Sequence, residues 1–150
     1  MEVGNLYRLR DCNPNDPNAP CYIELFEDSE LQATDASGVT AEIQCGVNVK
    51  NSFGTLVAKL WGTVNATWTQ NLVTGKYEPD VNWKVKGYWV LNGSYQWVNV
   101  AISEYPIFGG HIGVKTTGDL KYLGLPWRSY SATLTLLKGS TAPNYTCTSP

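Results

Sequence analysis

The residues able to do chemistry in this chain are few: four cysteines, one histidine, scattered carboxylates and a large aromatic set. Cys12, Cys21, Cys45 and Cys147 are unevenly spaced, contain no Cys-X-X-Cys pair, and have only His111 as an imidazole companion. Zinc sites draw on closely spaced Cys and His pairs. The set therefore reads as two disulfides, ahead of a four-thiolate metal site or free buried thiols. Of the three connectivities open to four cysteines, Cys12–Cys21 with Cys45–Cys147 is favoured. The intervening NPNDPNAP, with three prolines and three asparagines, must loop out, and a short bridge at its base keeps it compact. The second bridge pins a Pro/Thr/Ser-rich tail to the strand that carries Cys45. Closing a loop of about 100 residues is worth around 4 kcal/mol in the chain-entropy description. Disulfides place the chain in an oxidising compartment, outside the cell or on its surface.

Catalytic candidates are thin. His111 follows Gly109-Gly110 in a loop, no Gly-X-Ser-X-Gly elbow accompanies it, and Cys-His catalysis needs a thiol that the disulfides remove. Glu24, Glu27, Asp28, Glu30 and Asp35 cluster near the start, while Glu42, Glu78, Asp80, Glu104 and Asp119 are scattered. A glycosidase pair about 5 to 9 Å apart is not singled out among them. The acidic cluster lacks an EF-hand pattern and reads as a solvated loop. No phosphate-binding glycine motif occurs. No catalytic residue, cofactor or metal ligand is expected.

Aromatic residues carry the binding argument. Phe, Trp and Tyr make up 12% of the chain, with six tryptophans. Tyr88, Tyr95 and Trp97, bordered by Lys86 and Asn99, fall on one face of a strand pair in the pattern described below. A flat aromatic platform edged by ammonium and amide groups suits the apolar face of a sugar ring and its hydroxyls. A cell-surface protein would use the same groups. Trp127, in GLPWRS, is a second ligand-binding candidate. The ordinary alternative, and the commoner outcome for such residues, is that this face packs under a loop or against neighbouring strands.

The elements that must position these groups are strands. Charged residues are only 16% of the 150 and hydrophobic residues 43%, enough for one domain, residues 1–150, with a real core. A net charge of −2 and the absence of a basic run exclude long-range attraction to nucleic acid or anionic membrane. The longest apolar stretch, around Leu56–Val64, is broken by Lys59 and Gly62, so no membrane insertion is expected. Residues 1–10 lack the apolar run of a secretory signal. Triplets of the Asn-X-Ser/Thr type at Asn65, Asn92 and Asn144 are what a chain this rich in Asn, Ser and Thr produces by chance.

Residues 5–9 and 21–26 read as strands, and the acidic segment 27–37 as the best place for a helical turn or two. Val39, Ala41, Ile43, Cys45, Val47 and Val49 recur at period two, marking a half-buried strand. Segment 55–73 reads as two strands or one long bent strand, with a bulge at Gly62. Residues 80–91 and 94–104 flank Asn92-Gly93, the dipeptide of a type I′ hairpin turn. With Leu91 opposite Ser94, Trp83, Val85 and Trp89 share an apolar face with Val98, Val100 and Ile102, which is assigned to the core. Tyr88, Tyr95 and Trp97 lie on the other face. Short strands at 111–115 and 119–123 and a last strand at 129–137 complete about eight.

The fold class is all-β: a two-sheet antiparallel sandwich of about eight strands, disulfide-stabilised, with a closed β-barrel as the alternative. The function expected is a noncatalytic extracellular binding module, for carbohydrate through surface aromatics. The alternatives are a self-assembling structural or adhesive subunit of a surface, filament or coat, and a small secreted hydrolase or toxin.

Overall fold

A computed structural model describes residues 6–8, 12–35 and 38–149. Its strands are β1 (Leu6–Arg8), β2 (Pro20–Asp35), β3 (Gly38–Asn51), β4 (Leu56–Gln70), β5 (Tyr77–Val90), β6 (Tyr95–Ile107), β7 (His111–Tyr122), β8 (Leu125–Leu137) and β9 (Asn144–Thr148). The first five form one sheet in the order β1-β2-β3-β4-β5, and the last four form the second in the order β6-β7-β8-β9. Every neighbouring pair is antiparallel. The chain therefore meanders across one sheet, crosses once, and meanders across the other. This is a β-sandwich and not a closed barrel.

Alternation decides which side of each strand is buried. Ile43, Cys45, Val47 and Val49 on β3 and Ala58, Leu60, Val64, Ala66 and Trp68 on β4 turn inward. They meet Val114, Leu120, Tyr130, Ala132, Leu134 and Leu136 from the second sheet. Trp68 Nε1 donates across the gap to the Leu137 carbonyl at 3.3 Å. Gly62 is not a bulge. It faces Thr116 of β7, and a Cβ there would collide with the threonine hydroxyl. The extra residue is Asn82, where the β4–β5 register shifts between Asn65 and Ala66.

Both disulfides pair as the loop compositions imply. Cys12–Cys21 closes the proline-rich loop with a Cα separation of 4.6 Å, and Cys45–Cys147 ties β3 to β9 across the sandwich at 5.7 Å. Such bonds fit a protein that folds outside the reducing cytosol. Core tyrosines hold the first loop down: Tyr95 donates to the Asn18 carbonyl at 2.5 Å, and Tyr122 to Asp16 Oδ2 at 2.9 Å. Burial and the Asp16 carboxylate push the Tyr122 phenol up to about 12.

Further expectations are corrected. Segment 27–35 is not helical. It continues β2, with Ser29 opposite Ile43 and Leu31 opposite Ala41. Its side chains are exposed, as the acidic composition implies. Its backbone nevertheless completes the ladder of a long β3, a requirement that outweighs weak local helix preference. The second correction is larger. Asn92-Gly93 does not close a hairpin, because β5 pairs with β4 and β6 with β7. Asn92 Oδ1 accepts from Ser94 N at 2.9 Å and the Asn92 carbonyl from Tyr95 N at 3.2 Å, while neither Asn92 nor Gly93 takes a positive φ. The turn thus carries the chain from one sheet to the other, without the mirror-image geometry that a two-residue hairpin needs.

The faces exchange on β5 and at the start of β6, while Val100 and Ile102, past the register shift between Val98 and Ala101, pack against the core as expected. Tyr95 and Trp97, expected on the open face, are only 4% and 8% exposed. Trp83, Val85 and Trp89, expected in the core, are 45%, 52% and 41% exposed.

Candidate functional site

The displaced tryptophans assemble on the outer face of the five-stranded sheet. Gly46, Trp61 and Gly87 stand in one cross-strand row. A Cβ on Gly87 would run into the Trp61 indole, so that glycine is what lets the ring lie against the sheet, whereas a Cβ on Gly46 would run into the β4 backbone at Leu60 and Trp61. One step along the strands, Trp89 stands opposite Lys59; in the other direction Val85 stands opposite Thr63 and Trp83 opposite Asn65. Strand alternation puts Trp61, Trp83, Val85 and Trp89 on the same face. Lys59 Nζ lies 3.8 Å from the Phe26 ring centroid and 5.1 Å from that of Trp61, extending the aromatic surface toward β2.

A fixed polar bank borders the strip. Asn65 Nδ2 donates to Gln32 Oε1 at 2.7 Å, and Asn82 Nδ2 donates to Asn65 Oδ1 and Thr67 Oγ1, both at 2.8 Å. The Thr67 and Thr40 hydroxyls bond each other at 2.8 Å. At the far side, Glu24 accepts from Asn48 at 3.2 Å and from Lys50 at 3.1 Å. Burial pushes the Glu24 carboxyl up, but these hydrogen bonds and the Lys50 charge outweigh it and leave the pKa below the usual value. The arrangement offers an aromatic surface with amides, hydroxyls and a cation around it.

The residues proposed from sequence are dispersed. Tyr95 stacks on Tyr122 with centroids 5.3 Å apart, and Trp97 meets Tyr130 edge-on at 5.8 Å, both inside the sandwich. Trp97 Nε1 donates to the Trp89 carbonyl at 3.1 Å. Tyr88 is exposed, but it stands opposite Leu60 and so on the side of β5 away from Trp83 and Trp89. Lys86 donates to the Val100 carbonyl at 3.0 Å and, with the Lys84–Glu104 pair at 3.6 Å, joins the edges of β5 and β6.

Asn99 and Trp127 do come together, in a depression of about 410 Å³ on the second sheet. Asn99 has φ 56 at a bulge in β6, and its amide donates to Asp119 Oδ2 at 2.9 Å; Ser129 donates to Asp119 Oδ1 at 2.6 Å. These two hydrogen bonds hold the Asp119 carboxyl below its usual pKa. Trp127 packs edge-on against Tyr122 at 5.6 Å. His111 accepts the Lys138 backbone N–H on Nδ1 at 2.9 Å. Among the described residues, no three His, Cys, Asp or Glu side chains gather as a metal site requires.

Trp61, Trp83, Val85 and Trp89 were not legible as surface groups from alternation alone. The available signal was glycine inside a strand: Gly87 marks where a large side chain crosses the backbone closely. A disulfide-tied β-sandwich with an open aromatic sheet face is the class that fold and site define. No protein-family model matches the chain, and it matches no curated protein and no solved structure.

Proposed function

We propose that this protein is a noncatalytic extracellular binding module that takes carbohydrate on the outer face of its five-stranded sheet. The observation that carries the reading is the exposure of Trp83 and Trp89 on either side of Trp61, whose indole is accommodated against the sheet by Gly87. Sugar rings stack on such surfaces through their C–H faces, and their hydroxyls bond to nearby amides and hydroxyls. Asn82, Gln32 and Thr67 stand where those hydroxyls would be met.

A glycan array followed by titration calorimetry tests the proposal. Wild-type protein is expected to bind at least one glycan, and Trp83→Ala and Trp89→Ala each to weaken that affinity about tenfold or more with the fold intact. A protein that retains no glycan, or variants that bind as wild type does, would remove the reading.

A further inference from the structure

We infer that the ligand of this face is an extended, uncharged polysaccharide chain lying parallel to β5 and held over several consecutive rings, in preference to a single terminal sugar; this rests on the carbohydrate reading above. Length is the first argument. Trp83 and Trp89 are six residues apart on one strand, so at about 3.3 Å per residue they are separated by about 20 Å along it. Trp61 fills the interval, level with Gly87 and one alternation step from Trp89. Val85 occupies the remaining step between Gly87 and Trp83. A terminal sugar needs one ring-sized pocket with groups converging on it. A row of this length, open along its axis, matches a run of rings in an extended chain.

Charge is the second argument. Alternation puts Glu24, Asp28 and Glu30 of β2 and Glu42 of β3 on the same outer face, against Lys50 and Lys59. Lys50 is already paired with Glu24, and Lys59 lies over Phe26 and Trp61. A polyuronate or sulfated chain would meet net negative charge and no row of cations to match its repeat, so the field excludes polyanions. The hydrogen-bonded amides and hydroxyls alongside the strip suit the hydroxyls of a neutral chain. A flat, β-1,4-linked backbone of glucose, xylose or mannose has the required straightness, whereas helically coiled α-linked chains turn away from a straight row.

The test is calorimetry with β-1,4-linked gluco-, xylo- and manno-oligosaccharides from two to six rings, with polygalacturonate as the charged probe. For at least one neutral series, affinity is expected to rise about tenfold or more between the disaccharide and the hexasaccharide. Trp89→Ala and Gly87→Val, which remove or displace different parts of the row, are each expected to flatten that length dependence. Far-UV circular dichroism checks that both variants fold, and Trp89→Ala alone carries the test if Gly87→Val does not. Equal affinity for short and long oligosaccharides, or tighter binding of polygalacturonate, overturns the extended neutral chain and leaves the carbohydrate face standing. Binding of no saccharide at all, on arrays as well as in this series, overturns both.

Discussion

Replacing Trp97 and Trp83 in parallel separates the two ways of facing the β5 and β6 strands. Trp97 is buried, packs edge-on against Tyr130 and lies over Gly118, and its indole N–H reaches the Trp89 carbonyl of the opposite sheet. Trp97→Ala removes that ring from a packed interior and leaves a cavity, a change that costs about 3–5 kcal/mol. For a chain of this size that lowers the melting temperature by about 10 °C. Trp97→Phe keeps most of the packing but strands the Trp89 carbonyl, which costs about 1–3 kcal/mol. Trp83, nearly half exposed on the outer face, has mainly cross-strand contacts to lose, so Trp83→Ala costs about 1 kcal/mol or less. Urea denaturation followed by far-UV circular dichroism measures all three without relying on the fluorescence of the deleted side chains. A hairpin at Asn92-Gly93 with Trp83 in its core would reverse the order. If Trp83→Ala destabilises more than Trp97→Ala, the crossing between sheets described above is wrong.

The disulfides should contribute unequally. By loop entropy, Cys45–Cys147, with a separation of 102 residues, is worth about 4.7 kcal/mol and Cys12–Cys21, with a separation of 9, about 2.6. Denaturation of the two double-alanine variants is expected to show the larger loss for the first pair, with Cys12–Cys21 removal chiefly loosening the loop that Tyr95 and Tyr122 hold. Equal losses would point to strain or residual unfolded-state structure instead. Alkaline stability should fall in a defined window. Because the Tyr122 pKa is raised in the folded protein, its contribution is complete below about pH 10 and is lost as pH climbs toward about 12, by about 3 kcal/mol at most. Tyr95 and Tyr145, also raised, add in the same direction. Tyr122→Phe is expected to shrink that loss measurably; an unchanged pH profile would contradict the Asp16 hydrogen bond.

Sequence legibility divided along a physical line. The β3 alternation from Val39 to Val49 was readable because only one of its faces is apolar, so period two fixed both the strand and its burial. On β5 and β6 both faces carry large apolar groups. Trp83, Val85 and Trp89 alternate with Tyr88 and Val90, so periodicity identified strands without choosing their inner side. Asn92-Gly93 then supplied a local turn signal that is indifferent to whether the next strand pairs back or crosses to another sheet. The acidic segment 27–35 was read correctly as solvated and incorrectly as non-strand, because solvation concerns its side chains and the ladder concerns its backbone. The disulfide pairing was legible because proline and asparagine between Cys12 and Cys21 leave the chain no regular structure to adopt. Of the site, Asn99 and Trp127 were brought together by two bulges no composition announces, and the Trp61 row appears only once β3, β4 and β5 are known to be neighbours.

The outer face is the place where this fold departs from self-protection. Exposed sheet edges invite pairing with other chains and are usually blunted by charge or cover. Beyond Glu24, where the short β1 ends its pairing, β2 bears Glu27, Asp28, Glu30 and Asp35 among the described residues. The β5 edge is bridged to β6 by Lys84 and Lys86. Those devices blunt the edges of the five-stranded sheet, whereas β9 (Asn144–Thr148), the outer edge of the second sheet, carries no charged residue. The aromatic row on the face of the five-stranded sheet has no such cover among the described residues: Trp83, Val85 and Trp89 leave about half of their surface open. On the proposed reading, the open indoles, with Gly87 leaving room for that of Trp61, form the face on which a sugar chain stacks.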